Sequence, residues 1–297
     1  MKKQTMDWLL LAVLLSVWGL NYPSVKFGLE YSAPLAFSFY RVFVAAVASI
    51  PLVALSLRAK KPSKSFRNVK AIVATILFAI TSTVLFLGFW FIAETVVPAG
   101  ITAVIIYTYP LFTVLFTWLF LSEKLTSLKV LGIITGFIGI FLILTSGNIS
   151  RFSVNPYGFT FLFIAAISFA ASFVVYRRWL LGFDRPTLNA LILFLSAAIL
   201  FGWTFAGNAN SLFSIQFLNP LFVIPLLYTG VIGTTIAYLI WMILVERRGP
   251  VWLSSWLFFV PIVALLSSSI LLHEHVDLAQ LLGFLVTILG IAAVNRK

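Results

Sequence analysis

The chain has 297 residues, of which 62% are hydrophobic and 9% are charged, and its formal net charge is +12. A soluble domain carries about a quarter charged residues, so this composition excludes a water-soluble globule and indicates a membrane protein. There is no cysteine, which excludes disulfides and thiolate metal or redox sites within the chain.

Long apolar runs recur along the whole chain, and each is close to the ~20 residues that cross a bilayer as a helix. The first run continues into Trp18, Asn21 and Tyr22 with no small-residue cleavage site, so we interpret it as a retained membrane helix. The predicted fold class is an all-α membrane protein with ten transmembrane helices. The predicted helices are residues 8–27, 34–56, 70–92, 97–121, 127–146, 157–176, 187–206, 221–243, 250–272 and 278–294.

If the N-terminus lies in the cytoplasm and each predicted helix crosses the membrane in turn, most of the basic residues fall on the cytoplasmic side. That side receives 17 of the 20 lysines and arginines, the outer side receives Lys26 and Arg151, and Arg41 lies within a helix. Positive charges are retained in cytoplasmic loops, so we predict a multi-pass protein of the cell (inner) membrane with both termini in the cytoplasm. This topology explains the basic excess without nucleic acid as a partner. Binding of anionic membrane lipid by residues 58–70 is the alternative use of that charge.

One pattern occurs twice, 151 residues apart: a proline inside an apolar run, a glutamate that closes the run, and two glycines in the next run. The two copies are Pro110, Glu123, Gly132 and Gly139, and Pro261, Glu274, Gly283 and Gly290. Each half holds five helices, an odd number, so the second half enters the membrane from the opposite side. We therefore predict two inverted five-helix repeats, residues 1–147 and 148–297, with a substrate site near mid-membrane between them.

These residues resemble the drug/metabolite transporter superfamily, specifically its EamA-type ten-helix members. The resemblance covers nearly the whole chain and also rests on residues 18–22 (Trp-Gly-Leu-Asn-Tyr) with Lys26, and on Pro34 with Arg41. It implies a ten-helix carrier of amino acids, other metabolites or drugs, often an exporter. The sugar-phosphate branch of the superfamily uses basic residues deep in several helices. Arg41 is the one clear candidate of that kind here, which argues against a phosphorylated substrate.

Arg41 is the charged residue that lies well inside a predicted helix, roughly 10 Å deep at 1.5 Å per residue. Placing arginine in the membrane interior costs about 2.5–3.5 kcal/mol on insertion scales, and no carboxylate is expected at a similar depth to pair with it. Arg41 is therefore a candidate for binding a substrate carboxylate, with backbone carbonyls or snorkelling as the structural alternative. Asn21 and Tyr22 are candidates for lining the cavity, and an interhelical hydrogen bond is the alternative for Asn21.

Aromatic residues gather around the two prolines and in the neighbouring helices. Such rings stack on apolar or cationic substrates, or they serve as interface anchors and lipid-facing bulk. We predict that they line a cavity where helices three, four, eight and nine meet. The candidates are Trp90, Tyr107, Tyr109, Tyr238, Trp241, Trp252 and Trp256. Pro110 and Pro261 each remove a backbone donor in mid-helix, so they are candidate hinges or static kinks.

Glycines mark the fifth and the tenth helix at matching positions. Small residues four apart let helices approach closely in a membrane. We therefore expect each of these helices to pack tightly against its hairpin partner, or the two against each other, with a dimer interface as a further alternative. The residues are Gly132, Gly136 and Gly139, with counterparts Gly283, Thr287 and Gly290.

No catalytic constellation or Walker-type phosphate loop is evident, so we predict neither an enzyme nor a protein driven directly by ATP. His273 and His275 flank Glu274, but three consecutive residues do not readily share one tetrahedral metal ion. Glu94 and Glu246 are placed near the membrane surface as fallback proton sites. The predicted function is a cofactor-free secondary transporter, monomeric or dimeric, that exports or exchanges a small organic metabolite, with an amino acid as first choice. The alternative is a flippase for a lipid or a lipid-linked intermediate.

Overall fold

A computed structural model describes residues 2–59, 64, 68–122, 124, 126–145, 155–214, 217–273 and 277–295. This part of the chain is helical throughout, without β-strands. Eight helices are long and apolar enough to cross a membrane, so the chain is an integral multi-pass membrane protein. In chain order they are α1 (Gln4–Leu29), α2 (Pro34–Arg58), α3 (Val69–Glu94), α4 (Ala99–Leu121), α6 (Pro156–Leu180), α7 (Arg185–Leu212), α8 (Pro220–Arg248) and α9 (Pro250–Leu272). Two further apolar helices are α5 (Ser127–Thr145) and α10 (Leu278–Asn295).

Two of the spanning helices contain a π-helical segment in mid-course. The segment is Ile80–Val84 in α3 and Tyr228–Ile236 in α8. A shift of 151 residues places the first segment on residues 231–235, inside the second. A π-turn takes up an extra residue and disturbs the regular hydrogen-bond ladder, so backbone carbonyls there become available to other groups.

A second pair of interruptions lies at the duplicated prolines. α4 is broken by a turn at residues 107–108, and α9 is broken at residues 258–259. A new helix begins after each break, with Pro110 or Pro261 in its first turn. Proline lacks an N–H and fits a helix start, so each proline lies in the first turn after a break rather than in mid-helix as predicted. Movement about them stays a prediction.

The turns between helices also correspond at the same offset. Ser122 after α4 and His273 after α9 have positive φ angles of 56° and 55°. The Asn68 and Asn219 side chains accept the second backbone N–H of α3 and α8, at 2.9 and 3.0 Å. Each such cap satisfies a helix N–H that has no partner within the helix. Glu123 and Glu274, which close the two apolar runs, lie outside the described residues.

α5 and α10 pack against each other through their glycines, and we call this contact the α5–α10 seam. A Cβ added to Gly290 would lie 2.5 Å from the Gly136 nitrogen, and one added to Gly139 would lie 2.5 Å from the Gly283 carbonyl oxygen. These neighbours are backbone atoms, so a side chain cannot be inserted without separating the helices. The α5 glycines Gly132 and Gly139 therefore make close contact with α10, and Gly136 also faces Leu111 of the hairpin partner α4.

Helix ends that the sequence places on one side of the membrane contact one another. Asp7 near the start of α1 pairs with Arg247 and Arg248 at the end of α8, at 2.8 Å each. The Ser56 hydroxyl near the end of α2 donates to Asp184 before α7, at 2.5 Å. These contacts join both halves of the chain at the same end of the helix bundle.

Candidate functional site

A cavity of about 330 Å³, counting all the space between atoms, lies where α1, α2, α3, α4, α6 and α8 meet. The part of this space that a water-sized sphere can occupy is about 20 Å³, so the cavity is nearly closed in this structure. Aromatic rings form most of its lining, together with one amide and one guanidinium. The lining residues are Trp18, Asn21, Tyr22, Arg41, Phe86, Trp90, Tyr107, Tyr109, Phe169 and Tyr238.

Seven of the ten predicted binding residues lie around this cavity, and they come from five different helices. They are Asn21, Tyr22, Arg41, Trp90, Tyr107, Tyr109 and Tyr238. All seven are buried in the folded chain. The fold thus brings together candidates that are far apart in sequence, and their contact with a substrate stays a prediction.

The three other predicted residues, all tryptophans, do not line the cavity. Trp241 is buried behind its wall, with its ring centroid 4.7 Å from that of Phe173. Trp252 and Trp256 are half-buried and contact Trp8 of α1, with centroids 5.5 and 5.0 Å apart. Residues four apart share a helix face, and this face of α9 meets the start of α1. The expectation that these α9 rings form a cavity wall is therefore wrong.

Three lining rings were not among the predicted residues: Trp18, Phe86 and Phe169. Trp18 and Phe169 occupy equivalent positions 151 residues apart, and their ring centroids lie 5.9 Å from each other. Their equivalence in the repeat was the signal that could have identified both. Phe86 stacks on Phe169 at 4.5 Å. It is one of 30 phenylalanines, and no pattern in the sequence distinguishes it.

Arg41 is 2% exposed and is held on three sides. Its Nε donates to Thr234 Oγ1 at 2.9 Å. Its guanidinium carbon lies 5.5 Å from the Trp90 ring centroid and 5.4 Å from that of Phe91, within the range of cation–π attraction. Its Nη1 has no hydrogen-bond partner within the described part of the chain. A buried donor without a partner carries a desolvation penalty, which an anionic ligand would remove.

Glu94 is the last residue of α3, and its side chain is completely buried in the folded chain. Its carboxylate accepts a hydrogen bond from Trp90 Nε1, and it lies close enough to Arg41 for an electrostatic interaction. Lys26 of α1 covers this end of α3, because its Nζ donates to the carbonyls of Glu94 and Val97 at 2.6 and 3.3 Å. A cation at the C-terminal end of a helix is favourable.

Two further polar atoms at the cavity are buried without a partner in the described ranges: Asn21 Oδ1 and the Tyr109 hydroxyl. Asn21 lies against Gly233, where an added Cβ would overlap its amide. The interhelical hydrogen bond considered for Asn21 is therefore not made by this oxygen. Together with Arg41 Nη1, these atoms leave the cavity with one charged donor, one acceptor and one hydroxyl for a polar ligand.

Two lining rings connect the halves by hydrogen bonds to the π-helical segments. Trp18 Nε1 in the first half donates to the Gly233 carbonyl in the second, at 3.1 Å. The Tyr238 hydroxyl in the second half donates to the Ser82 carbonyl in the first, at 2.7 Å. The exchange is reciprocal, so each π-segment is in contact with a cavity ring of the other half.

Comparisons with known proteins agree with this architecture. The family model described as "EamA-like transporter family" matches residues 6–145 and again residues 156–296. "Uncharacterized transporter YvbV" of Bacillus subtilis is 30% identical over 97% of this chain and 91% of its own length. Proteins of Escherichia coli and Salmonella typhimurium, each named "Probable amino-acid metabolite efflux pump", are 24% and 26% identical over 96% of this chain and 93% of theirs. One crystal structure shares the fold, with a TM-score of 0.69 over 98% of this chain and 96% of the other at 17% identity.

Proposed function

This chain belongs to the EamA-like transporter family, and we propose that it is a secondary transporter that moves a small organic metabolite by alternating access. The observation that carries the proposal is Arg41, a buried guanidinium at an aromatic-lined cavity, whose Nη1 has no partner in the described ranges. A guanidinium in this position suits a carboxylate, because charge-assisted hydrogen bonds are among the strongest that a protein makes. The surrounding rings suit the apolar part of the same molecule.

The proposed substrate is an amino acid or a related compound, and the proposed direction is export or exchange. The names of the two efflux-pump relatives support this class. The cavity supports it too, since it offers a cation, an amide oxygen and a hydroxyl in an aromatic surround. A carrier without ion coupling runs only down a gradient, so export of an accumulated metabolite needs no coupled ion.

The proposed architecture has ten crossings in two inverted repeats, residues 1–147 and 148–297, in the cell membrane with both termini in the cytoplasm. The π-segments, the proline breaks and the seam glycines support it, because each recurs 151 residues later. The contacts of Asp7 with Arg247 and Arg248 support it as well, since they join helix ends assigned to one side. In this proposal the halves rock about Pro110 and Pro261, and a monomer is sufficient.

The test is transport by the purified protein in proteoliposomes with a panel of labelled amino acids. We expect saturable uptake and counterflow for at least one of them. Arg41→Gln removes a charge-assisted bond worth ~1.5–3 kcal/mol and should reduce that transport about tenfold or more. Arg58→Gln is the matched control, since Arg58 is exposed at the end of the same helix.

Two results would overturn the proposal. One is the absence of saturable flux for every amino acid in the panel from protein that is folded and correctly inserted. The other is equal transport by the Arg41→Gln variant and the wild type, which would remove Arg41 from the site. Scrambling of labelled phospholipid by the same vesicles, without amino-acid flux, would support a flippase instead.

A further inference from the structure

We propose that Thr234, in the π-helical segment of α8, is the positioning residue that orients Arg41 in the cavity. The inference rests on the proposed function, because it concerns how that same site holds a carboxylate. Thr234 is completely buried. Its hydroxyl accepts from Arg41 Nε at 2.9 Å and donates to the Thr229 carbonyl at 2.8 Å. A hydroxyl has one hydrogen to donate, so using it on Thr229 leaves an oxygen lone pair directed at Arg41.

The contacts of Arg41 leave one edge of its guanidinium for a ligand. Thr234 occupies the Nε position, and the rings of Trp90 and Phe91 lie 5.5 and 5.4 Å from its central carbon. The Nη1 nitrogen of Arg41 is buried and has no hydrogen-bond partner in the described part of the chain. The planar group has a rigid fork of donors, so fixing Nε also fixes where Nη1 points.

The π-segment makes this contact possible by changing the register of α8. One residue of an α-helix corresponds to about 100° of rotation, so a π-turn, which adds a residue, redirects the side chains that follow it. The same segment contacts the α2 backbone at Arg41 and one turn further along. A Cβ on Gly230 would lie 2.9 Å from the Arg41 carbonyl oxygen, and Thr235 Oγ1 donates to the Ala45 carbonyl at 2.8 Å. Thr234 is thus held at a defined place against α2.

The equivalent residue in the first half shows what is particular about Thr234. Thr83 lies 151 residues earlier and is also buried in a π-segment, and its Oγ1 lies 3.1 Å from the Ser82 hydroxyl oxygen. The second helices correspond at an offset of 152, which aligns Pro34 with Pro186, so the counterpart of Arg41 is the apolar Leu193. The guanidinium therefore comes from one half and its positioning hydroxyl from the other. When the halves move apart, Arg41 loses this orientation.

The transport test compares Thr234→Val with Thr234→Ser and Thr229→Val. The valine keeps the shape and loses the hydroxyl, while serine keeps the hydroxyl. Thr229 is a matched control, because it is buried in the same π-segment and its hydroxyl bonds only carbonyls of its own helix, Pro225 and Leu226. For the panel amino acid with the highest counterflow, we expect Thr234→Val to raise KM about fivefold with Vmax within twofold. The preference for that amino acid over its carboxamide should fall, while the serine and Thr229→Val variants stay within twofold of wild type.

A second measurement needs no transport substrate. In protein with ¹⁵N-labelled arginine, the Arg41 Nε–H resonance is assigned by its loss in Arg41→Gln and followed while acetate, the simplest carboxylate probe, is added. We expect acetate to shift this resonance in the wild type and to bind about fivefold more weakly to Thr234→Val. If the valine variant does not fold, Thr234→Ala replaces it in both measurements. The serine variant should behave as the wild type.

The outcomes separate this inference from the proposed function. A Thr234→Val variant with unchanged carboxylate preference and unchanged acetate binding would overturn the inference, even if the wild type transports amino acids. If the wild type transports none of the amino acids, the proposed function is overturned. The inference still stands in that case if acetate shifts the Arg41 resonance and this response depends on Thr234. Equal losses in Thr234→Val and Thr229→Val would show a structural role for the segment and would also overturn the inference.

Discussion

The α5–α10 seam and the central cavity are both built from the two halves of the chain, but they use the duplication differently. In the seam, Gly132 meets Gly290 and Gly139 meets Gly283, and these pairs exchange under the 151-residue shift. In the cavity, eight of the ten lining residues come from the first half, and only Phe169 and Tyr238 come from the second. Two helices pack closely when both carry glycines, so the seam can use the same residues from each half. A single small ligand is bound by one set of polar groups, so the cavity does not need the same residues twice.

Residues at equivalent positions of the two halves show where the cavity is asymmetric. Asn21 and Ser172 correspond, but the Ser172 hydroxyl donates to the Phe169 carbonyl of its own helix at 2.6 Å. The Asn21 Oδ1 has no such partner in the described ranges. The first half therefore keeps hydrogen-bonding capacity at the cavity that the second half satisfies within its own helix.

The largest loss of stability is expected from substitutions in the α5–α10 seam. Gly139→Ala and Gly290→Ala each place a Cβ against backbone atoms at 2.5 Å or closer, and overpacking of this kind costs about 3 kcal/mol. Since the two positions are equivalent, both variants should lower the melting temperature in detergent by a similar amount. Gly202→Ala is the control, because nothing lies within 4 Å of its added Cβ. A large loss in one seam variant and none in the other would refute the symmetry.

An intermediate effect should distinguish Trp90 from its counterpart Trp241. Trp90 lines the cavity, donates to Glu94 and faces Arg41, while the Trp241 Nε1 has no partner among the described residues. Trp90→Phe removes a bond to a carboxylate and should reduce transport about tenfold. Trp241→Phe should change it less than twofold. Initial rates in proteoliposomes, normalised to folded protein, measure both, and equal losses would make the cavity functionally symmetric.

The smallest effect concerns the starts of α2 and α7. Asp184 caps α7 by accepting from the Thr187 backbone N–H at 3.1 Å, whereas Ala33 before α2 offers no side-chain cap. Burial raises the pKa of the Asp184 carboxyl, but hydrogen bonds from Ser56 and Thr187 outweigh it and hold the pKa below its usual value. Asp184→Ala should therefore lower the unfolding free energy by about 0.5 kcal/mol at neutral pH, a value kept small because solvent screens the group.

The lowered pKa of Asp184 also sets how its contribution to the unfolding free energy changes with pH. A carboxyl with a lower pKa in the folded state stabilises the protein above its unfolded-state pKa, and this stabilisation is lost as the pH falls through the folded-state value. The difference between wild type and Asp184→Ala should be constant from pH 8 to 5 and shrink below about pH 4. Denaturation in detergent at each pH measures it. A difference that grows on acidification would contradict the assignment.

Structural features that a single residue type produces at its own position were predictable from the sequence. Pro110 and Pro261 remove backbone donors, so a local disturbance of the helix is expected at each of them. Gly132 and Gly139 provide the small surface that a close helix contact requires. The family resemblance, which rested on these marks and on residues 18–22, is confirmed by the family match over both halves.

Features that depend on which face of a helix meets which neighbour were not predictable in the same way. Trp252 and Trp90 have the same chemistry, but α9 turns Trp252 toward α1. Glu94 lies at the end of α3, where Lys26 covers its backbone, and no local pattern signals that contact. No local pattern in the sequence marks the π-segment that brings Thr234 to Arg41, which packs against α1 and α2.

The seam also has a consequence for biosynthesis. α10 is the last of the described helices to leave the ribosome, yet it is the helix against which the α5 glycines pack. At roughly 5–20 residues per second, α5 waits on the order of 10–30 s in the bilayer before its partner is made. A nascent or truncated chain therefore carries an uncovered glycine face that the finished protein lacks. That face distinguishes incomplete chains from complete ones for any membrane chaperone or protease that recognises unpaired helices.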